Sequence, residues 1–191
     1  MHNDYNYAKL RPLDVFCTSA HNPLGGLIRL RTAKLKGYNG LREMFRHEIA
    51  NHCAIVVEMN GLYWLAEMKP DGLKISSCKD YLNNKREDLV AVKRLWNFHN
   101  DKGLRRTANE LLVKWAHETR AYDYDMIKGY LGLGKDNPKE YYCSELCEVV
   151  ANRFGSTWDD NQLKTGPGLI APVEIQFGDS CVSFNIGNIY V

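Results

Sequence analysis

Alternating and helically spaced apolar positions divide the chain into short segments. The clearest β pattern covers residues 52–58 (His-Cys-Ala-Ile-Val-Val-Glu), rich in β-branched side chains, and residues 62–68 (Leu-Tyr-Trp-Leu-Ala-Glu-Met). Asn60-Gly61 between them is the strongest short-range hairpin signal and predicts a two-residue type I′ turn. Pro70-Asp71-Gly72 predicts the end of the second strand. Residues 13–18, 74–77, 89–95 and 181–186 predict further strands, with a polar, helix-like segment around 79–84. Leu104, Ala108, Leu111, Leu112 and Trp115 recur at helical spacing with charges opposite, which predicts an amphipathic helix over 104–120. A shorter helix is expected over 24–33, with Asn22 as N-cap and Pro23 in its first position. Another is expected over 143–154, closed by Gly155. Residues 1–11 read as a loose lead-in, 37–40 as a turn-rich loop, and the segment from Tyr122 through Gly129, Gly132 and Gly134 as a connection. No repeat, linker or low-complexity tract interrupts this order. The pattern predicts one domain over residues 1–191, of α+β class, with an antiparallel sheet packed against helices.

Composition narrows the functional classes. A chain of 191 residues with 45% hydrophobic and 25% charged positions excludes whole-chain disorder and collagen-like repeats. A net charge of +2 argues against a dedicated nucleic-acid binder, and no basic, aromatic-interleaved face is present. No stretch approaches the roughly 20 apolar residues of a membrane helix, so stable membrane insertion is not expected. The start shows no charged-then-apolar signal pattern, so a cytoplasmic location is expected, with delivery by a phage or secretion system left open. The six cysteines are scattered without a CxxC pair. That excludes a zinc ribbon and a thioredoxin motif, and they read as reduced thiols. No metal and no cofactor is expected.

Candidate chemistry follows from the hairpin. With Asn60 and Gly61 as the loop, paired residue numbers sum to 121, so Val57 faces Trp64, Ile55 faces Ala66 and Ala54 faces Glu67. Residues two apart on a strand share a face, which puts His52 on the face of Ala54 and Glu67, with Glu67 as its diagonal neighbour at about 7 Å. Glu58 shares that face but lies roughly 20 Å along the strand. A one-residue slip would separate the pair. A carboxylate beside an imidazole fixes its tautomer and raises its basicity, as a nucleophile-activating base requires. Cys143 stands at the start of a predicted helix, where unpaired N–H groups stabilise a thiolate and can hold an oxyanion. Leu146, Cys147, Val150 and Phe154 turn the Cys143 side toward the protein body. Residue types alone leave two other readings open: a structural His–Glu ion pair and a core cysteine. The remaining signals are weaker. His47-Glu48-Ile49-Ala50-Asn51-His52 spaces its histidines one residue too far apart for a zinc-protease helix. The glycines at 129–134 lack the ending of a phosphate loop. His21, His99 and His117 carry no partner signal in the sequence, and Asp123 and Asp125 suit turns.

These residues resemble the circularly permuted branch of the NlpC-type, papain-like thiol hydrolases, especially its YiiX-like members. The resemblance is an ordered series of short matches over most of the chain. Leu10-Arg11-Pro12-Leu13-Asp14-Val15 is similar to an opening "Arg-Pro-Gly-Asp-Ile" strand, and Leu27-Ile28-Arg29 to the first helix. Asn51-His52-Cys53-Ala54-Ile55-Val56 is similar to "Ser-His-Val-Ala-Ile-Val", and Leu65-Ala66-Glu67 to the strand carrying the third polar residue. Tyr122-Asp123-Tyr124 resembles the segment before the nucleophile, and Gly166–Pro172 the closing loop. Tyr141-Tyr142-Cys143-Ser144-Glu145-Leu146 is the most specific match. Leu13 in place of Gly and Asn51 in place of Ser depart from the pattern without touching the three polar residues.

The resemblance implies a permuted papain-like fold in which histidine precedes cysteine. It implies Cys143 as nucleophile, His52 as base and Glu67 as orienting residue, with Tyr142 or Tyr141 assisting the oxyanion. The expected activity is cleavage of an amide in a peptide, a peptidoglycan stem or a lipid through a thioester. The expected partner is a small peptide or acyl-amide substrate. An acyltransferase or lipid thioesterase on the same three residues, and a non-enzymatic binding module retaining the fold, are the alternatives.

Overall fold

The computed structural model describes residues 6–35, 45, 48–69, 71–82, 87–118, 121–122, 140–141, 143–158, 172–177, 181–184 and 186. A 3-10 turn, Tyr7–Lys9, leads into β1 (Val15–Ala20) and α1 (Pro23–Leu35). Then come β2 (His52–Met59), β3 (Leu62–Lys69), β4 (Gly72–Ser77), α2 (Cys78–Leu82), β5 (Glu87–Leu95), α3 (Trp96–Asn100) and α4 (Lys102–His117). After two short strands, β6 (Ala121–Tyr122) and β7 (Glu140–Tyr141), the chain forms α5 (Cys143–Arg153), α6 (Pro172–Phe177) and β8 (Cys181–Phe184). Six strands form one sheet in the order β4-β3-β2-β1-β5-β8, with every neighbouring pair antiparallel. The α+β expectation is met: a mixed fold with an antiparallel sheet and helices packed on it.

The sheet is covered on both faces. Val15, Cys17, Cys53, Ile55, Val57, Ala66 and Met68 pack under Ala108, Leu112 and Trp115 of α4 and Leu146, Cys147, Val150 and Ala151 of α5. Phe16, Ala54, Val56, Leu65 and Val92 on the other face pack with Leu10 and with Cys78 and Tyr81 of α2. Double coverage explains why residues 53–57 are apolar without alternation, since both sides of β2 leave water.

Local rules place several elements where the sequence puts them. Asn60 (φ 53°) and Gly61 (φ 74°) both take the left-handed conformation that a type I′ turn requires. The pairing from Met59↔Leu62 to Ile55↔Ala66 follows the expected register. The Asn22 side chain accepts from the Gly25 N–H at 2.7 Å and caps α1. Gly25 is also needed for close approach, because a Cβ there would lie 2.6 Å from both the Ala20 carbonyl oxygen and Asn51 Nδ2.

Other features differ from expectation. Leu10 is part of the core rather than of a loose lead-in. The helices α3 and α6 were not anticipated, because five and six residues are too few for a helical period to show. Leu13, which stands where the resembled strand carries glycine, has φ 72° and is 1% exposed. Its apolar burial offsets a left-handed backbone costing about 1 kcal/mol. The loop at 37–40, most of the segment 122–134 and the match at 166–171 lie outside the described residues.

Candidate functional site

Two of the predicted site residues meet directly. His52, the first residue of β2, places Nε2 3.0 Å from Glu67 Oε2 on β3. The hairpin register carries this contact, and the carboxylate is almost wholly buried while the imidazole is partly open. The backbone leading to His52 is held firmly. The Asn51 side chain accepts from Ala20 N–H at 2.8 Å and donates to the Ala20 carbonyl at 3.1 Å, extending the β1–β2 ladder by one side chain. Gln176 of α6 accepts from Ala50 N–H at 2.7 Å and donates to the Glu48 carbonyl at 2.7 Å.

The other Glu67 oxygen is also occupied. Lys69 Nζ lies 2.8 Å from Oε1, and Ser76 Oγ of β4 donates to the same atom at 3.5 Å. Burial by itself pushes the Glu67 carboxyl up, but the hydrogen bonds and charges of His52 and Lys69 outweigh it and hold the group below its ordinary 4.5. A depressed carboxyl contributes stability that is present above its unfolded value and lost as pH falls through its folded value. Glu67→Gln is therefore expected to lower the urea midpoint of unfolding at about pH 6. The gap to wild type should close toward about pH 3. A gap independent of pH would show that the carboxylate charge contributes nothing.

Cys143 opens α5 and is buried. The helix lies along β2 in the strand's own direction. Its C-terminal neighbour Phe154 meets Phe98 edge-on, with ring centroids 6.4 Å apart, and Phe98 follows the end of β5 that lies, with β1 between, level with the Val57 end of β2. The Cys147 thiol packs against Cys53, next to His52. Cys143 is four residues before Cys147, about 6 Å further along the axis, which puts the helix tip at the end of the sheet where His52 begins β2. Cys143 and His52 both act electrostatically on the Cys147 thiol.

The faces differ, however. Alternation along β2 and β3 sends His52, Glu67 and Lys69 to the side covered by α2, whereas the α5 stripe covers the side of Cys53 and Ile55. The helix that carries the sulfur and the imidazole therefore lie on opposite faces of the sheet, which meet at the end of β2. Among the described hydrogen bonds, none joins Cys143 Sγ to the His52 ring.

The remaining candidates are distributed. The backbone of Tyr141 pairs in β7 with Tyr122 of β6, and Tyr142 lies outside the described residues, as do His47, Asp123 and Asp125. His52 belongs to a strand, which removes the helical zinc-protease spacing. All six cysteines are free, and burial pushes the Cys53 and Cys147 thiols up, as suits protonated core groups. His21 has a partner after all: its Nε2 lies 2.7 Å from Asp88 Oδ2. That contact arises from β1–β5 pairing across 67 residues, for which no local sequence signal exists. Lys69 was missed from the sequence, although strand alternation could have found it. It is two residues beyond Glu67 on one strand and so shares its face.

No protein-family model matches the chain, and no curated protein matches it. Among solved structures it is similar to the crystal structure of the metalloprotein YiiX from Escherichia coli O157:H7, DUF1105, at 12% identity and a TM-score of 0.64. The match covers 91% of this chain and 96% of that one. The chain has a YiiX-like fold. At this identity the likeness to YiiX shows the fold alone.

Proposed function

We propose that the chain is a thiol hydrolase that cleaves an amide through Cys143, on a circularly permuted papain-like scaffold of NlpC type. His52 is the base and Glu67 its orienting carboxylate. The observation that carries this reading is the His52–Glu67 pair at 3.0 Å, at the end of the sheet that the α5 tip reaches. Glu67 Oε2 fixes one ring nitrogen, and in this reading the other serves the sulfur. The Cys143 thiolate attacks the carbonyl carbon, and His52 passes the thiol proton to the departing amine, leaving a thioester. Water, deprotonated by the same imidazole, then releases the acid. The N–H groups at the start of α5 stabilise the oxyanion, with Tyr142 or Tyr141 assisting. A direct sulfur–imidazole hydrogen bond is not required of the substrate-free protein, because such bonds often tighten only when substrate is bound. The substrate class is a peptide, peptidoglycan-stem or lipid amide.

The description of YiiX as a metalloprotein raises a metal centre as a second reading, and the described residues do not fit it. Both Glu67 oxygens are engaged, one by the Lys69 ammonium, which repels a second cation. Among the described residues no group of three or more His, Cys, Asp or Glu side chains is arranged to hold an ion.

The test is an iodoacetamide-alkyne probe with peptide mapping, alongside a panel of peptide, peptidoglycan-stem and lipid amides. Fast labelling at Cys143 that slows in His52→Ala, together with hydrolysis of one amide class, is expected. Labelling confined to the partly exposed Cys181, or a Cys143 rate indifferent to His52, would overturn the reading. Mass spectrometry with added amine acceptors separates hydrolysis from acyl transfer.

A further inference from the structure

The Lys69–Glu67 contact has no place in the mechanism above, yet it sits on the carboxylate that orients the base. Glu67 divides its two oxygens, Oε2 to His52 at 3.0 Å and Oε1 to Lys69 at 2.8 Å. The carboxylate is 1% exposed, so water does not screen either partner effectively, whereas the Lys69 side chain is 47% exposed and its own charge costs little to keep. A buried carboxylate paired only with an imidazole would hold a proton on the ring tightly, and a protonated ring cannot act as a base.

We propose that Lys69 is a positioning residue that tunes the base: by neutralising the Glu67 oxygen that His52 does not use, it keeps the imidazole free of its proton at lower pH. The inference rests on the reading of His52 as the catalytic base and deepens it. Among the described contacts, the other groups near the ring do not supply this charge. Thr18 of β1 lies opposite His52 and hydrogen-bonds the Tyr81 hydroxyl of α2 at 3.1 Å, and both are uncharged at neutral pH. On β4, Ser76 is neutral, and Lys74, opposite Glu67, is paired with Asp71 at 3.1 Å. From the other side come the thiols Cys53, Cys143 and Cys147. Among the described residues, Lys69 is the cation in contact with the orienting carboxylate.

The experiment follows the His52 ring by NMR as pH is varied in wild type, Lys69→Met and Lys69→Arg. It reads the imidazole itself and needs no substrate, so its outcome is independent of whether the chain is a hydrolase. Removal of the cation in Lys69→Met is expected to raise the His52 titration midpoint by about half a pH unit, the order set by a half-exposed charge in a water-like dielectric. Lys69→Arg should restore the wild-type midpoint. If Lys69 only pins Glu67 in place, Lys69→Met frees the carboxylate and the midpoint falls instead. A fall, or no change, overturns the proposal. With an amide substrate in hand, the acid limb of kcat/KM should move with the midpoint. An unmoved limb alongside a raised midpoint would leave the tuning intact and count against His52 as the base.

Discussion

On the proposed thiol-hydrolase reading, replacing Cys143 with alanine is expected to abolish amide cleavage while leaving the fold in place. In thiol hydrolysis the nucleophile acts as a unit with its base, so Cys143→Ala and His52→Ala should each lower kcat/KM by about 10⁴-fold or more, with no additive loss in the double variant. Glu67→Gln keeps the shape of the pair and loses the charge. It should retain a measurable fraction of the activity, because it weakens the base without removing it. The cost to stability is modest: trading a sulfur for a hydrogen at the 4%-exposed Cys143 site forfeits about 1 kcal/mol of packing. Far-ultraviolet circular dichroism and the melting temperature should therefore stay close to wild type, and steady-state hydrolysis on the responding amide is the deciding measurement. Undiminished turnover by Cys143→Ala would remove the thiol from the reaction.

The largest effect on stability is expected at Arg94. Its Nε and terminal nitrogen hold the two Asp14 oxygens at 2.6 and 2.8 Å, and a terminal nitrogen also reaches the Lys9 carbonyl at 3.1 Å. Arg11 N–H donates to the same carboxylate at 2.8 Å. Asp14 is fully buried, and burial raises its carboxyl above the ordinary 3.8 even though Arg94 pulls it down. Arg94→Met leaves that carboxylate buried without its cation, which costs about 3–5 kcal/mol, a large part of the 5–15 kcal/mol of a typical domain. The pH dependence has a definite sign. A carboxyl whose folded value is raised favours folding below its unfolded value and loses that contribution as pH rises through the folded value. Arg94→Met should thus be most destabilised near neutral pH and recover toward about pH 4, measured as urea midpoints. The double variant Asp14→Asn/Arg94→Met should regain most of the loss at neutral pH. A single variant as stable as wild type at every pH would mean that the pair contributes nothing net.

The two predictions also mark how far local sequence carries. The His52–Glu67 contact needed only a turn rule, because Asn60-Gly61 sets the register of the two strands it joins and alternation does the rest. The position of Cys143 at a helix tip was legible for the same reason, from the apolar stripe that follows it and the glycine that ends the helix. The Asp14–Arg94 and His21–Asp88 pairs span 80 and 67 residues and depend on β1–β5 pairing, which includes a register shift at Cys17/Thr18. No window of sequence contains that shift.

The chain by itself determined the longer elements, the hairpin register and the His52–Glu67 pair. Those follow from backbone geometry between near neighbours, where alternation and turn type leave few choices. Tertiary structure alone decided that both faces of β2 are covered, that α5 runs with the strand on the side opposite the His–Glu pair, and that Cys143 and His52 share one end of the sheet. Such placements arise from the packing of layers distant in sequence, whose apolar surfaces match equally well in several arrangements until the whole core closes around them.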